Sequence, residues 1–274
     1  KKNILHIFNS NFYLDKKKIV NLPIGLFGDF YSHELSFILI NSNDYKNLEN
    51  ILEKCNLKIK KVLLKSFVKG ALYSNEKKNT DTFFYIMINE NNSKIFYFEN
   101  NSLKFEQDFK FGSNIIIKDI SKITSLKTET TKKILNIFEF KDDFLNEELI
   151  DKKYFSEEAY KKIKKSLVYE IALFRIKEIS EIILHKNINL KYSNKKKIFL
   201  EINDKLKSQS VIKILEEVFS LNKKINTEVL DTPSDEKMFE TINKLVHFGW
   251  KKEAIPTSHP KKSLLARFFE AVFD

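Results

Sequence analysis

The chain has 274 residues, 42% of them hydrophobic and 31% charged, with a formal net charge of +11. That is apolar enough for one large domain or two small ones and too apolar for a disordered chain. Five glycines, four prolines and one cysteine argue against folds that need several glycine-rich phosphate loops, internal disulfides or cysteine-based zinc sites.

A basic surplus of this size points toward nucleic acid, anionic lipid or an acidic peptide. Nearly all the cations are lysines, with Arg175 and Arg267 the only arginines. Phosphate and base-edge recognition favours the arginine fork, so no nucleic-acid partner is expected. No apolar run approaches ~18 residues, and no membrane-spanning helix is expected. Position 1 is Lys and no signal peptide is legible, which reads as a fragment whose own start is missing. A single cysteine fits a reducing compartment.

Ile4 to Phe37 predicts strand-like sequence with turns at residues 21–25 and 28–29, part of a small α+β unit. Glu34 to Ile40 is rich in β-formers. Asn43-Asp44 then predicts the cap of a helix whose apolar positions Leu48, Ile51, Leu52 and Cys55 place Cys55 in the core. A short strand is expected at residues 62–64 and a helix near Phe67 to Leu72. Three aromatic-rich segments, Thr82 to Ile88, Lys94 to Phe98 and Leu103 to Phe109, are separated by Asn-rich turns and predict an antiparallel meander. From Ser121 to Ile150 the pattern is mixed and charged, with Asp142-Asp143 and Glu147-Glu148 expected on exposed turns.

A long helix is predicted to begin at a Ser156 cap, with Glu157 and Glu158 at its positive end. Its apolar stripe runs through Tyr160, Ile163, Leu167, Ile171 and Phe174 and continues onto Glu178. A carboxylate there needs a partner: an ion pair with Arg175 or Lys177, a helix end leaving the core, or a role as a polar group aimed into a cleft between subdomains. Lys197 to Ile202 reads as a strand, Asn203-Asp204 as a turn, and Ser208 to Phe219 as an amphipathic helix. Asp235 to Phe248 reads as a helix ended by Gly249. Lys251 to Lys262, with Pro256 and Pro260, reads as a linker.

The last twelve residues are amphipathic. At ~100° per residue, Leu264, Leu265, Phe268, Phe269, Val272 and Phe273 share one half-circle, with Ser263, Arg267, Glu270 and Asp274 opposite. Behind a proline-containing linker and beside Lys261 and Lys262, such a segment fits a helix lying in the lipid interface of an anionic membrane. The alternative is a helix docked on its own domain or on a partner.

Several stretches resemble, in order, motifs of the FtsA family of actin-like bacterial division proteins. Residues 5–7 through 21–28 resemble "LHV-x-P-x-x-Y … NP-x-GL-x-G", and residues 52–58 resemble "ERCGLKV". Residues 113–120 resemble "GN-x-(V/I)-T-x-DI", residues 175–179 "R-x-x-E-(I/L)", and residues 247–249 "HYG". The amphipathic tail falls where that family carries its membrane-targeting helix. The resemblance implies an α/β, actin-like ATPase-type fold, with a partial first lobe, a second lobe and the C-terminal amphipathic helix. Its divisions would be residues 1–38 (a small α+β subdomain), 39–81 (the rest of the first lobe), 82–120 with 185–250 (the second-lobe core), 121–184 (partner binding), 251–262 (linker) and 263–274 (membrane helix).

Two departures change what the resemblance implies. The family's second phosphate loop, Asp-Ile-Gly-Gly-Gly-Thr, falls on residues 87–92, where all three glycines, the acid and the threonine are replaced. The adenosine-side Gly-Gly falls on Asn203-Asp204, the threonine of the "GN" motif falls on Ile117, and the first phosphate loop has no counterpart. Glu90 would set a negative charge against phosphate oxygens, and no acid would organise Mg²⁺. The family binds ATP and Mg²⁺. Here no cofactor and no enzyme activity are expected, and Asn114, Asp119, Arg175, Glu178 and Asn203 would be a vestigial nucleotide cleft.

The function implied is a peripheral adaptor on the cytoplasmic side of the inner membrane at the division site. It would bind the C-terminal peptide of FtsZ, anionic lipid and other division proteins, and self-associate into filaments. Lys161, Lys162, Lys165 and Arg175 offer a basic face to an acidic peptide, or else a solvated helix face. An active actin-like ATPase and a pilus-assembly-type scaffold are the alternatives.

Overall fold

The computed structural model describes residues 1–19, 21–77, 80–137, 148–155, 158–191, 193, 197–203, 208–220 and 225–254. The expected features at Asp142-Asp143, Glu147, Ser156-Glu157, Asp204 and 255–274, the amphipathic tail included, lie outside these residues. The chain forms two compact units, one of Lys1–Lys78, Glu99–Lys104 and the chain from Glu236 on, the other of Asn79–Phe98 and Phe105–Asp235.

In the first unit β1 (Lys2–Leu14) pairs antiparallel with β2 (Lys17–Ile19) and β3 (Tyr31–Asn41). Register shifts between Ile4 and His6 and between Asn9 and Asn11 change which side chains point inward. His6, Phe8, Ser10 and Phe12 are buried, and His6, Phe8 and Phe67 stack with ring centroids 4.9–5.5 Å apart. Phe67 lies on α2 (Lys65–Glu76), whose run from Ser66 to Tyr73 is buried on every side. The helix α1 (Ser42–Glu53) is capped by the Asn41 side chain, two residues before the predicted cap.

That helix buries none of its residues, and Cys55, expected in the core, is exposed. Its apolar spacing is helical, but among the described residues β1 and β3 cover the stripe only in part, leaving Leu48 and Ile51 exposed. Residues 62–64, predicted as a strand, form irregular chain instead, because the Leu64 N–H bonds the His6 ring rather than a sheet neighbour. Helix α7 (Asp235–Phe248) ends at Gly249, whose φ of +72° takes the left-handed conformation that suits a helix stop.

The described start of the expected linker is not loose chain. Residues 252–254 lie along β1, with Asn9 N donating to Lys252 O and Ala254 N to Ile7 O, both at 2.7 Å. Glu253 accepts from His6 Nδ1 at 2.7 Å and Lys61 Nζ at 2.8 Å. Trp250 is buried and donates from Nε1 to Asn101 O. Asn100 and Asn101 both have positive φ, which makes the tight hairpin turn the Asn pair predicts.

The second unit is built on a five-stranded sheet of order β6-β5-β4-β7-β8. Here β4 is Phe83–Asn89, β5 Ser93–Glu99, β6 Ser102–Phe109, β7 Lys197–Asn203 and β8 Asn226–Leu230. The meander forms as predicted; β8 carries no signal that the sequence reading used. Strands β4, β7 and β8 run parallel. The central strands β4 and β7 are covered on both faces and carry continuous apolar runs such as Phe83-Phe84-Tyr85-Ile86, all fully buried, whereas the edge strand β8 is half-buried. One face packs Phe84, Ile86, Ile88, Ile198 and Leu200 against the flanking helices. These are α3 (Asn114–Thr124), α4 (Thr128–Ile137), α5 (Lys165–Ser180) and α6 (Gln209–Phe219), of which α3 and α4 are amphipathic helices that the sequence reading did not predict.

The structure moves the start of the long helix. Glu148 to Ile150 pairs with Ile163 to Lys165 as extended chain, so Tyr160 and Ile163 precede the helix, and α5 begins at Lys165. Its buried face is Val168, Ile171, Ala172, Ile176 and Ile179, whereas Phe174 is 67% exposed. The predicted stripe joined residues from two different conformations. Glu178 is therefore not in an apolar stripe; it faces solvent.

Candidate functional site

The polar residues of the second unit gather where the parallel strands end. Asn89 closes β4 and is the register partner of Asn203, which closes β7. The strand order reverses at β4, with β5 and β6 laid down on one side and β7 and β8 on the other, and in open α/β sheets ligands favour the carboxyl edge at such a switch point.

The turn after Asn89 is tied to the first turn of α3. Ser113 N donates to Asn89 O at 3.0 Å, Asn114 N to Glu90 O at 2.9 Å, and Asn114 Nδ2 to Asn91 Oδ1 at 2.9 Å. Asn89 Nδ2 also donates to Asn92 Oδ1 at 2.7 Å. The approach depends on Gly112, because a Cβ there would lie 2.0 Å from Asn89 O. Two amides that open a helix, which could otherwise hold an anion, are thus spent on carbonyls of the turn.

On the adjacent strand Glu201 is fully buried. It accepts from the Tyr85 hydroxyl, from Asn203 Nδ2 at 2.7 Å and from Thr232 Oγ1 at 3.4 Å, and Thr232 also donates to Asn203 Oδ1. Tyr85 and Asn203 are the principal donors, with Thr232 sharing its single hydroxyl proton between Glu201 and Asn203, and together they satisfy a carboxylate that would otherwise be costly to bury. Sequence reasoning missed this cluster, although Glu201, a lone acid in the apolar run from Ile198 to Ile202, was a visible signal.

The five residues expected at a vestigial cleft fall into three groups. Arg175 bridges Asp119 of α3 and Glu178 of its own helix, one turn on. Asn114 joins the turn at Asn91, and Asn203 joins Glu201. Of the readings open for Glu178, the ion pair and the solvent-facing position are what the structure contains; its side chain is 53% exposed.

The lysines expected on one helical face lie on different backbone. Lys161 and Lys162 precede α5, while Lys165 opens it and bonds Glu148 Oε2 at 2.8 Å. Lys161 donates to Ser125 O and approaches Glu158 at 3.9 Å. Burial pushes the Glu158 carboxyl up, but the Thr130 hydroxyl, the Lys127 N–H and Lys161 outweigh it and hold its pKa below the usual value. Arg175, bound to two carboxylates, lies apart from this group. Leu264, Leu265, Arg267, Phe268, Phe269, Val272 and Phe273 lie outside the described residues. Among the described residues no helix is long and apolar enough to cross a membrane, and no cluster of His, Cys, Asp and Glu is arranged to hold a metal ion.

The class that the sheets and flanking helices define is a mixed α/β protein. In sequence it resembles proteins named FtsA. No protein-family model matches the chain. It is 24% identical over 132 residues to the cell division protein FtsA of Buchnera aphidicola subsp. Schizaphis graminum, and 23% identical over 132 residues to that of Buchnera aphidicola subsp. Acyrthosiphon pisum. Each match covers 48% of this chain and 32% of the relative, so the matched segment spans about a third of the relatives' length. Among solved structures, MreB 5 of Spiroplasma citri bound to AMPPNP is similar with a TM-score of 0.48 and 12% identity, over 75% of this chain and 65% of that one.

Proposed function

We propose that the chain is an adaptor of the FtsA kind. In this reading it sits on the cytoplasmic face of the inner membrane at the division site, self-associates into actin-like filaments and binds the C-terminal peptide of FtsZ and other division proteins. Residues 263–274 hold it to anionic lipid, and it does not hydrolyse ATP. The observation that carries the reading is the match over 132 residues to two cell division proteins named FtsA; the ordered motifs and the amphipathic tail support it.

A magnesium-bound triphosphate does not suit the residues at the strand ends. The Ser113 and Asn114 amides are already engaged, Glu90 adds a carboxylate to the turn, and Met87 stands where the family's motif has its acid. The tethering half is tested by co-sedimentation with phosphatidylserine vesicles, comparing the full chain with one ending at Pro260. The full chain is expected to pellet and the shorter one much less, and equal pelleting refutes the tail as the main anchor. Titration with Mg-ATP tests the other half, with no saturable heat expected; the active-ATPase reading requires binding. Charge reversal at Lys161, Lys162 and Lys165 is expected to weaken binding of an FtsZ tail peptide, and an unchanged affinity removes that face from the proposal.

A further inference from the structure

The loop between β2 and β3 keeps its apolar side chains outside the fold. Leu22 is 51% exposed, Ile24 83%, Leu26 60%, Phe27 101% and Phe30 59%. At 101% the Phe27 ring stands clear of every neighbour. Scattered exposed apolar residues are ordinary on a protein surface, but five within nine residues make a patch.

The loop is held in this shape. The Asp15 carboxylate accepts from the N–H groups of Asp29 and Phe30, each at 2.9 Å, and Asp15 N donates to Phe30 O at 2.8 Å. Gly25 turns the tip at φ +79°, and Gly28 lies so close to Leu14 that a Cβ would meet its side chain at 2.6 Å. These contacts fix the base of the loop and leave Ile24, Leu26 and Phe27 projecting. The same bonds bring the loop beside the β1–β2 turn, where Lys16, Lys17 and Lys18 follow one another and are all exposed. Lys18 reaches Glu99 at 3.5 Å. On the acidic side, Asp15 is engaged with the loop's backbone and Asp29 is exposed.

We propose that this loop inserts into an anionic lipid surface, with Ile24, Leu26 and Phe27 among the acyl chains at the headgroup boundary and Lys16, Lys17 and Lys18 at the phosphates. A projecting tip with an aromatic and branched side chains beside a run of lysines matches that medium, which closes around any convex shape. A rigid protein partner would need a groove to receive the tip. The site is separate from residues 263–274 and stands whether or not they bind lipid; with both engaged, attachment would be multivalent and tighter than either alone.

The test uses the full chain carrying Phe27→Trp and phosphatidylserine–phosphatidylcholine vesicles with brominated acyl chains. The parent protein has one tryptophan, the buried Trp250, which supplies the baseline emission. The added indole is expected to be quenched beyond that baseline, and equally so when Phe268→Asp and Phe269→Asp disable the tail, at lipid concentrations where the protein still pellets. In the unlabelled chain, Ile24→Asp with Phe27→Asp is expected to lower vesicle affinity at least about tenfold, since two large apolar side chains leave the lipid. The urea midpoint should not move, because neither side chain is packed. Lys16→Glu with Lys17→Glu is expected to remove the preference for anionic over neutral vesicles. An indole that stays unquenched in pelleted protein, or Asp variants that bind vesicles as the parent does, overturns the proposal and assigns the patch to a protein partner. Loss of pelleting on tail substitution alone, with the loop unquenched, leaves the tail as the anchor and removes the loop. Quenching that survives tail substitution supports the loop and leaves the tail to be judged by the chain ending at Pro260.

Discussion

Glu253 fastens the last described residues to the first strand, and its removal has a calculable effect. Its carboxylate, 11% exposed, accepts from His6 Nδ1 and Lys61 Nζ. The His6 ring is fully buried, and its Nε2 accepts from Leu64 N at 3.2 Å, which puts the ring proton on Nδ1, facing Glu253. In Glu253→Ala that N–H loses its acceptor inside a box of Phe8 and Phe67 rings, a cost of about 1–3 kcal/mol. Lys61, 30% exposed, regains water, and the lost ion pair adds at most about 1 kcal/mol. The sum is about 1–4 kcal/mol, while Glu253→Gln, which keeps an acceptor for His6, should cost about 1 kcal/mol at most. Trp250, three residues away and the only tryptophan, reports the event, so urea unfolding followed by its emission is the assay. A Glu253→Ala variant within about 0.5 kcal/mol of the parent, or a Gln variant as damaged as the Ala one, would show that residues 252–254 are not held as described.

Three further outcomes follow from the same geometry. Burial raises the Glu253 carboxyl, but the bonds from His6 and Lys61 outweigh it and lower its pKa from the ordinary 4.5; the carboxylate's stabilisation should therefore be complete above about pH 4.5 and fade as pH falls through the lowered value, so that the parent and Glu253→Gln converge in acid urea titrations. Gly112→Ala places a Cβ against the Asn89 carbonyl and should destabilise the second unit by roughly 3 kcal/mol, measured by thermal melting; a neutral result would mean that the turn and α3 separate easily. Tyr85→Phe removes one donor from the buried Glu201 carboxylate and should cost about 1–3 kcal/mol, and in a double-mutant cycle the same substitution should cost less in a Glu201→Gln background.

Local pattern determined much of the framework. The Asn-separated aromatic runs form the meander of β4, β5 and β6. The period of α6 and the Ser208 cap, whose hydroxyl accepts from Val211 N, are legible without any partner, and α7 ends at Gly249 as its sequence requires. These features depend on neighbours a few residues away, which is the range over which helical and strand periods are written. The twelve terminal residues are amphipathic by the same logic, independent of any packing.

Tertiary structure decided the rest, because the deciding partners are distant in sequence. Asp119 and Arg175 meet across 56 positions, and Tyr85 and Glu201 across 116. No window along the chain contains both members of either pair, so Glu201 looks like part of an ordinary strand, while Glu178 falls on an apolar stripe only when the start of α5 is placed too early. Cys55 and the α1 stripe have the spacing of core residues but lack anything to cover them, and residues 252–254 have the composition of a linker yet bond to β1. Periodicity states which side chains share a face; only the arrangement of the other elements decides whether that face is buried, paired or left in water.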